Sequence, residues 1–380
     1  MRTSADVVVI GAGVTGAALA YTLAKRGIRD VLVLERHFPC AGATGRCGGG
    51  IRQQFTSESN IRLAMGSVRI YERLSEELDY DIEYVQRGYL VLAETEEEVT
   101  LQRQAVELQR RLGLPSYTLT PEEVPEIVPL FDISTIAGAT FCPTDGHANP
   151  FRVVEGYLGA AKRLGVELRK STEVTDLVVR GDKVTEVVTS RGRVAAGLVV
   201  NAAGAWSKRI AAMAGVKLPS RPVRHEILVT EPVQPVTEVM IISLHTSIYF
   251  SQTLEGQIVG GIGDPKEQPG YSLRSSVKFL RRFLTELVRH MPAMGQLAVL
   301  RQWAGLYDVT PDAQPILGPT PGLDNFVQAS GYSGHGFMIA PKVAELLADY
   351  IEKDVVSEEL ACLSLSRFEG EVKGEAFVVG

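Results

Sequence analysis

Six residues near the start of the chain, Gly11-Ala12-Gly13-Val14-Thr15-Gly16, limit its folding more than any others. They follow Asp6-Val7-Val8-Val9-Ile10, a β-branched run that reads as a buried parallel strand. They open a helix over Ala17–Arg26 that Gly27 stops, and a second apolar run, Val31–Leu34, ends at Glu35. A strand, a glycine turn, a helix and a strand within about thirty residues make one βαβ unit. In that context the three glycines serve different ends. Gly11 allows the tight turn, Gly13 lets a pyrophosphate reach the backbone, and Gly16 brings helix and strand together. The first helical turn, with Val14 and Thr15, presents unpaired N–H groups and the positive dipole end to phosphate. Glu35, 19 residues beyond Gly16, is placed to accept hydrogen bonds from ribose hydroxyls.

The unit suits NAD and FAD alike. Arg36 beside Glu35 invites a 2′-phosphate, but the carboxylate repels one. A second strand running into small residues, Leu198 to Ser207, has a spacing that suits another backbone segment passing close to a nucleotide. The stretch Cys40–Arg52 is too rich in glycine to pack alone, so it is either mobile or laid against a ligand.

The periodicity predicts helices near Glu58–Leu78, Glu96–Leu112, Pro150–Leu164, Ser275–Met291 and Pro341–Lys353. Strand-like runs fall at Tyr89–Ala93, Glu173–Val179, Val184–Thr189, Leu198–Asn201, Arg224–Thr230, Ser247–Thr253, Gln257–Gly261 and Asn325–Ala329. Helices and strands alternate toward both ends, while two internal stretches are rich in strands. The expected fold is α/β: a Rossmann-like nucleotide-binding domain of residues 1–80, 145–220 and 296–380, with an interleaved α+β substrate domain. That second domain takes residues 81–144 and 221–295 and is built on a mainly antiparallel sheet.

Composition excludes several classes. A net charge of −6 without a long basic run argues against nucleic acid as a partner. Four cysteines in 380 residues, without metal-type spacing, point to a reducing, cytoplasmic compartment and to no metal site. The uncharged segment Val7–Ala24 switches from strand to helix pattern midway, so it reads as neither signal peptide nor transmembrane span; peripheral membrane contact stays open. No Ser–His–Asp order, H-E-x-x-H or C-x-x-C pattern supports hydrolysis or metal chemistry.

These motifs together resemble the D-amino-acid oxidase superfamily, within it the sarcosine and glycine oxidase branch. The resemblance covers nearly the whole chain. It rests on V-V-V-I-G-A-G-V-T-G with Glu35, the Gly45–Arg52 loop, N-A-A-G-A-W at 201–206, T-P-D at 310–312 and G-Y-S-G-H-G-F-M at 331–338. R-C-G-G-G-I-R-Q-Q-F at 46–55 and D-G-H-A-N-P-F at 145–151 look most like the β subunits of dye-linked L-proline dehydrogenases. The resemblance implies FAD, with its ADP half held by Gly11, Gly13, Gly16, Glu35, Arg36, Ala43 and Thr44, and Val174 offering backbone to the adenine. It sets the loop Gly48, Gly49, Gly50 and Ile51 beside the isoalloxazine, passes Ala203, Gly204 and Trp206 near the same cofactor, counts Arg46 with the cofactor-binding residues, and aims the N–H groups of Gly334, His335, Gly336 and Phe337 at the pyrimidine edge.

The sequence departs from that branch in three places. Gly305 stands where monomeric sarcosine oxidases attach flavin through a cysteine, which implies noncovalent FAD. Met338 stands where those oxidases carry a lysine implicated in oxygen activation, which favours a dehydrogenase using an external electron acceptor. Pro150 stands near the histidine that anchors FMN in heterotetrameric relatives, so FMN at a subunit interface stays open, noncovalently.

For the substrate, Arg52 aligns with the branch's carboxylate-binding arginine; the alternative is a surface arginine paired with Glu58. Tyr249 is a candidate to close the pocket, or else a core tyrosine. His225 is a candidate to tune amine protonation, or else a structural strand histidine. His335 is expected to matter more through its backbone than its ring. The expected reaction is hydride transfer from the carbon attached to nitrogen in a small secondary amino acid, L-proline first and sarcosine next, giving an imine. An oxygen-using oxidase is the alternative, and a scaffold or electron-transfer subunit of a hetero-oligomer is a third reading. Partner subunits or a homo-oligomer are both compatible with the sequence.

Overall fold

The computed structural model describes residues 3–370 and 374–377. Two large sheets organise it. The first runs, in hydrogen-bonded order, through strands Ile316–Thr320, Leu323–Ser330, Gly192–Asn201, Ser4–Ile10, Val31–Leu34 and Glu167–Arg169. Ser4–Ile10 lies near its centre, parallel to both neighbours, with Val8 opposite Val199 on one side and Leu32 on the other. Its Val8 and Val9 have no exposure, as a strand covered on both faces requires. Helix Val14–Lys25 packs on one face together with Pro150–Arg163 and Gly336–Lys353, forming the larger core.

The second sheet has eight strands: Val299–Val309, Arg221–Pro232, Gln257–Ile262, Ile248–Gln252, Met240–Ser243, Tyr89–Ala93, Gly138–Cys142 and Tyr117–Leu119. Every neighbouring pair is antiparallel except Met240–Ser243 with Tyr89–Ala93. Val299–Val309, grouped in the sequence reading with the nucleotide-binding segments, pairs with Arg221–Pro232 from Arg221↔Val309 to Thr230↔Val299. A separate core under this sheet contains Phe250, Phe283, Leu287 and Met291.

Helices Glu58–Leu78 and Pro150–Arg163 begin where the spacing predicts. The last long helix does not: it starts at Gly336 and carries Pro341 inside. Proline lacks the N–H that would bond the carbonyl four residues earlier, which normally breaks a helix. That carbonyl belongs to Phe337, and it accepts the Tyr71 hydroxyl at 2.7 Å instead. The orphaned acceptor is thus satisfied from another element, so proline is tolerated at this point.

Candidate active site

The glycine turn does what its spacing requires. Gly11 has φ +110°, and a Cβ there would lie 2.4 Å from the Ala202 carbonyl oxygen. At Gly16 a Cβ would lie 2.0 Å from the Gly11 carbonyl oxygen. Only glycine lets helix and strand approach so closely. Gly13, at the N-cap of the helix, makes no side-chain cap bond. The Val14 N–H donates to Thr44 Oγ1 at 3.1 Å, bringing the Cys40–Arg52 stretch onto the helix N-terminus. Glu35 Oε2 accepts from the Ala12 N–H at 3.0 Å and Oε1 from the His37 N–H at 2.9 Å, which fixes the carboxylate beside the turn.

A cleft of about 1470 Å³ opens over this turn. Gly11, Gly13, Val14, Thr15, Glu35 and Arg36 line it, with Ala43 and Thr44 from the glycine-rich stretch. Val174, Ala203, Gly204 and Trp206 line it too, as do Gly334, Gly336 and Phe337. At one wall the Arg36 guanidinium lies 3.8 Å from the Trp206 ring centroid. Long, phosphate-ready at one end and floored by small residues, the cleft fits an extended dinucleotide. Asp308, also in its wall, is pushed up to about 6 by burial, and its Oδ1 has no partner among the described residues.

A second cavity, of about 580 Å³, adjoins the cleft, and both are lined by Cys47, Tyr307, Gly334 and Phe337. Gly48, Gly49, Gly50 and Arg52 form one side, Tyr249 another, and His335 and Met338 a third. The loop sits tightly: a Cβ on Gly50 would lie 2.8 Å from Met240 Sδ and 3.2 Å from the Tyr89 hydroxyl. Strand Gly50–Ile51 pairs with Gly146–His147, so the two motifs quoted above for the β-subunit likeness are neighbours in space. Asp145, fully buried and pushed up to about 6 by that burial, accepts from the Gln53 N–H at 2.8 Å and from the side-chain amides of Gln53 and Gln54 at 3.0 Å each.

Arg52 is buried, at 3% exposure, and forms no ion pair among the described residues. Glu58, its alternative partner, pairs with Arg62. The guanidinium donates to the Gln54 carbonyl and, at 2.5 Å, to the Phe377 carbonyl, and lies 4.4 Å from the Phe55 ring centroid. Burial lowers its pKa, against which Tyr89, Glu375 and Asp145 act. No carboxylate among the described residues lines the cavity, which leaves the guanidinium open to pair with an anion bound there.

His225 lies behind the wall rather than in it. Its ring stacks 4.5 Å from Tyr307 and 5.5 Å from Tyr249, at interplanar angles of 7° and 15°, and burial lowers its pKa to about 4. His335 does line the cavity, and burial likewise lowers it to about 4. Its backbone N–H is given to the Tyr332 carbonyl at 3.0 Å, so that donor is not free for a ligand as expected. Gly16, Ile51, Arg46 and Gly305 line neither space. Ile51 is core, and Arg46 donates to the Ala304 carbonyl at 3.0 Å with its side chain against Gly305. Tyr89, Met240, Ile242 and Tyr307 line the cavity without having been singled out in the sequence. They come from three separate strands, and only Tyr307, two residues after Gly305 in the W-A-G-L-Y run, carried a local signal.

A family profile described as FAD dependent oxidoreductase matches residues 6–350. The β subunit of sarcosine oxidase from an Arthrobacter species is 34% identical over 97% of this chain and 92% of its own length. Glycine oxidase from Geobacillus kaustophilus is 30% identical over 97% of this chain and 98% of its own. Among solved structures, L-proline dehydrogenase from P. horikoshii superposes with a TM-score of 0.93 at 39% identity, covering 97% of this chain and 99% of the other.

Proposed function

The chain belongs to the family of FAD-dependent oxidoreductases, and from that membership we propose that it is an amino-acid dehydrogenase acting on the C–N bond of a small secondary amino acid, L-proline first. The observation that carries the reading is Arg52: a buried guanidinium without an ion pair among the described residues, in a small cavity that adjoins a dinucleotide-sized cleft. The first sheet with its helices forms the FAD-binding part in this reading, and the second sheet roofs the substrate.

FAD fits the residues present, and when bound it supplies the acceptor for a hydride. The turn at Gly11–Gly16 and the N-terminus of the following helix would hold its pyrophosphate, and Glu35 its ribose. With glycine at 305, FAD is held without a covalent bond. Arg52 binds the substrate carboxylate through N–H groups that no acceptor among the described residues uses, fixing the carbon next to nitrogen toward the cleft. A cavity lined by phenols and a neutral imidazole, with a guanidinium in its wall, disfavours a second cation, so the amine is bound neutral. Its lone pair then forms the C=N bond as the carbon gives up hydride, and the nitrogen releases its proton. No strong base is required. For L-proline the product is pyrroline-5-carboxylate.

Met338 in the cavity wall supports an electron acceptor other than oxygen. One relative is itself a β subunit, which supports work beside partner subunits, and FMN at such an interface belongs to the same reading. No helix among the described residues is long and apolar enough to cross a membrane, and the four cysteines are free, in keeping with a reducing cytoplasm.

Anaerobic bleaching of the bound flavin by a panel of amino acids, with peroxide measured in air, tests the reading. Fast bleaching by L-proline without stoichiometric peroxide is expected. Preference for a primary amino acid would overturn the substrate, and peroxide at the rate of turnover would establish the oxidase alternative.

A further inference from the structure

The segment 374–377 reaches Arg52, in the cavity wall, from far along the chain. Glu375 is buried and sits on the N-terminus of helix Glu58–Leu78, whose Ser57 N-cap makes no side-chain cap bond of its own. One carboxylate oxygen accepts the Thr56 N–H at 2.9 Å and its hydroxyl at 2.5 Å. The other accepts the Ser57 N–H at 3.0 Å, its hydroxyl at 2.6 Å and the Asn60 amide at 3.2 Å. Burial alone would raise this carboxyl, but the hydroxyl and N–H donors outweigh it and hold the group below the ordinary glutamate range. Two further bonds tie the segment down: Ala376 N–H to Thr56 Oγ1 at 3.2 Å, and Glu375 N–H to the Asp312 carbonyl at 3.0 Å. Two residues beyond the clamp, the Phe377 carbonyl receives Arg52 Nη2 at 2.5 Å.

We propose that this strap aims Arg52 at the substrate, with Glu375 as the positioning residue; the inference rests on the reading of Arg52 as the carboxylate anchor. A guanidinium has five N–H donors. The Gln54 and Phe377 carbonyls take one from each terminal nitrogen, and Phe55 stacks on the plane, leaving three N–H groups without a protein acceptor among the described residues. Arginine has four side-chain torsions and would otherwise spend binding energy on ordering. The strap removes that cost before substrate arrives. It also brings a carboxylate close enough to favour the buried charge without pairing it, so that the guanidinium stays open to the substrate's own carboxylate. The clamp acts on affinity, because the same contacts exist with the substrate and with its transition state.

The experiment is a double-mutant cycle on the FAD-loaded full chain with Glu375→Ala and Arg52→Lys, using L-proline and L-prolinamide. Glu375→Gln serves as the gentler second variant. In the wild-type background Glu375→Ala should raise KM for proline roughly tenfold, the effect of losing part of one charged contact, and leave kcat within about twofold. KM for prolinamide should hardly move. In the Arg52→Lys background the same change should have little further effect on KM, since the group being aimed is already altered. A fall in melting temperature with unchanged KM would show Glu375 to be a helix cap only and would overturn the proposal. Equal KM penalties in both backgrounds would also overturn it. If Arg52→Lys by itself leaves KM for proline unchanged, the carboxylate reading fails first and the strap's role with it; if Arg52→Lys raises KM and Glu375→Ala does not, the strap alone is refuted.

Discussion

At the scale of single residues, the site depends on side chains kept away from their ordinary solution state. His225 is neutral because it is buried between two tyrosine rings, with its pKa lowered to about 4. A histidine whose folded pKa is depressed contributes stability above its unfolded value near 6.5, and that stability is lost as pH falls toward 4. His225→Phe, which keeps the aromatic stack, should therefore lose less stability than wild type between pH 7 and pH 4.5, by about 2 kcal/mol in urea unfolding. An identical acid loss in both proteins would mean that the ring titrates in the folded protein as it does in the unfolded chain. Glu35→Gln should weaken FAD binding by removing a charge-assisted acceptor worth about 1.5–3 kcal/mol, read by flavin titration of the apoprotein; an unchanged dissociation constant would move the ribose contact elsewhere. Glu35 was legible in the sequence because its spacing from the glycine turn is local. Tyr89 was not: it comes to the cavity of Arg52 only through strand pairings between distant segments. Glu375 was equally hidden, since nothing in its neighbours announces a partner over 300 residues away.

At the scale of elements, long periodic helices were the most readable part of the chain. Glu58–Leu78 begins and ends where its apolar spacing predicts, because an amphipathic stripe is written locally. The helix at Gly336–Lys353 shows what local reading lacks. Pro341 reads as a start, and the structure overrides it through the Tyr71 hydroxyl on the Phe337 carbonyl. Tyr71→Phe should leave that carbonyl buried without a partner and cost about 1–3 kcal/mol of stability. Its effect should concentrate at the first turns of the helix, where hydrogen exchange of the Ala340, Lys342 and Val343 amides would speed up relative to the rest. Uniform acceleration would show that the bond supports the fold generally. The strands Met240–Ser243, Gly138–Cys142 and Val299–Val309 escaped the sequence reading for a related reason. The first two are short, and all three take their register from partners far along the chain.

At the scale of the whole molecule, a cofactor held without a covalent bond obeys mass action. The melting temperature should rise with free FAD, the stabilisation growing by about 1.4 kcal/mol for each tenfold excess over the dissociation constant. Acid precipitation should release intact FAD into the supernatant. Colour retained in the pellet would point to a covalent link. The two-sheet class was legible because a βαβ start and strand-rich interior stretches are compositional features, whereas the path of the chain between sheets was not. That path has a consequence for synthesis. The strand Ser4–Ile10 finds Val31–Leu34 at once, but its other neighbour, Gly192–Asn201, lies roughly 190 residues further on. At the usual pace of translation the ribosome needs about ten to forty seconds to reach it. Through that interval a β-branched edge stands open to any passing chain, so slowing elongation between the second strand and Gly192 should lower the soluble yield, and a co-expressed chaperone that binds apolar strands should restore it.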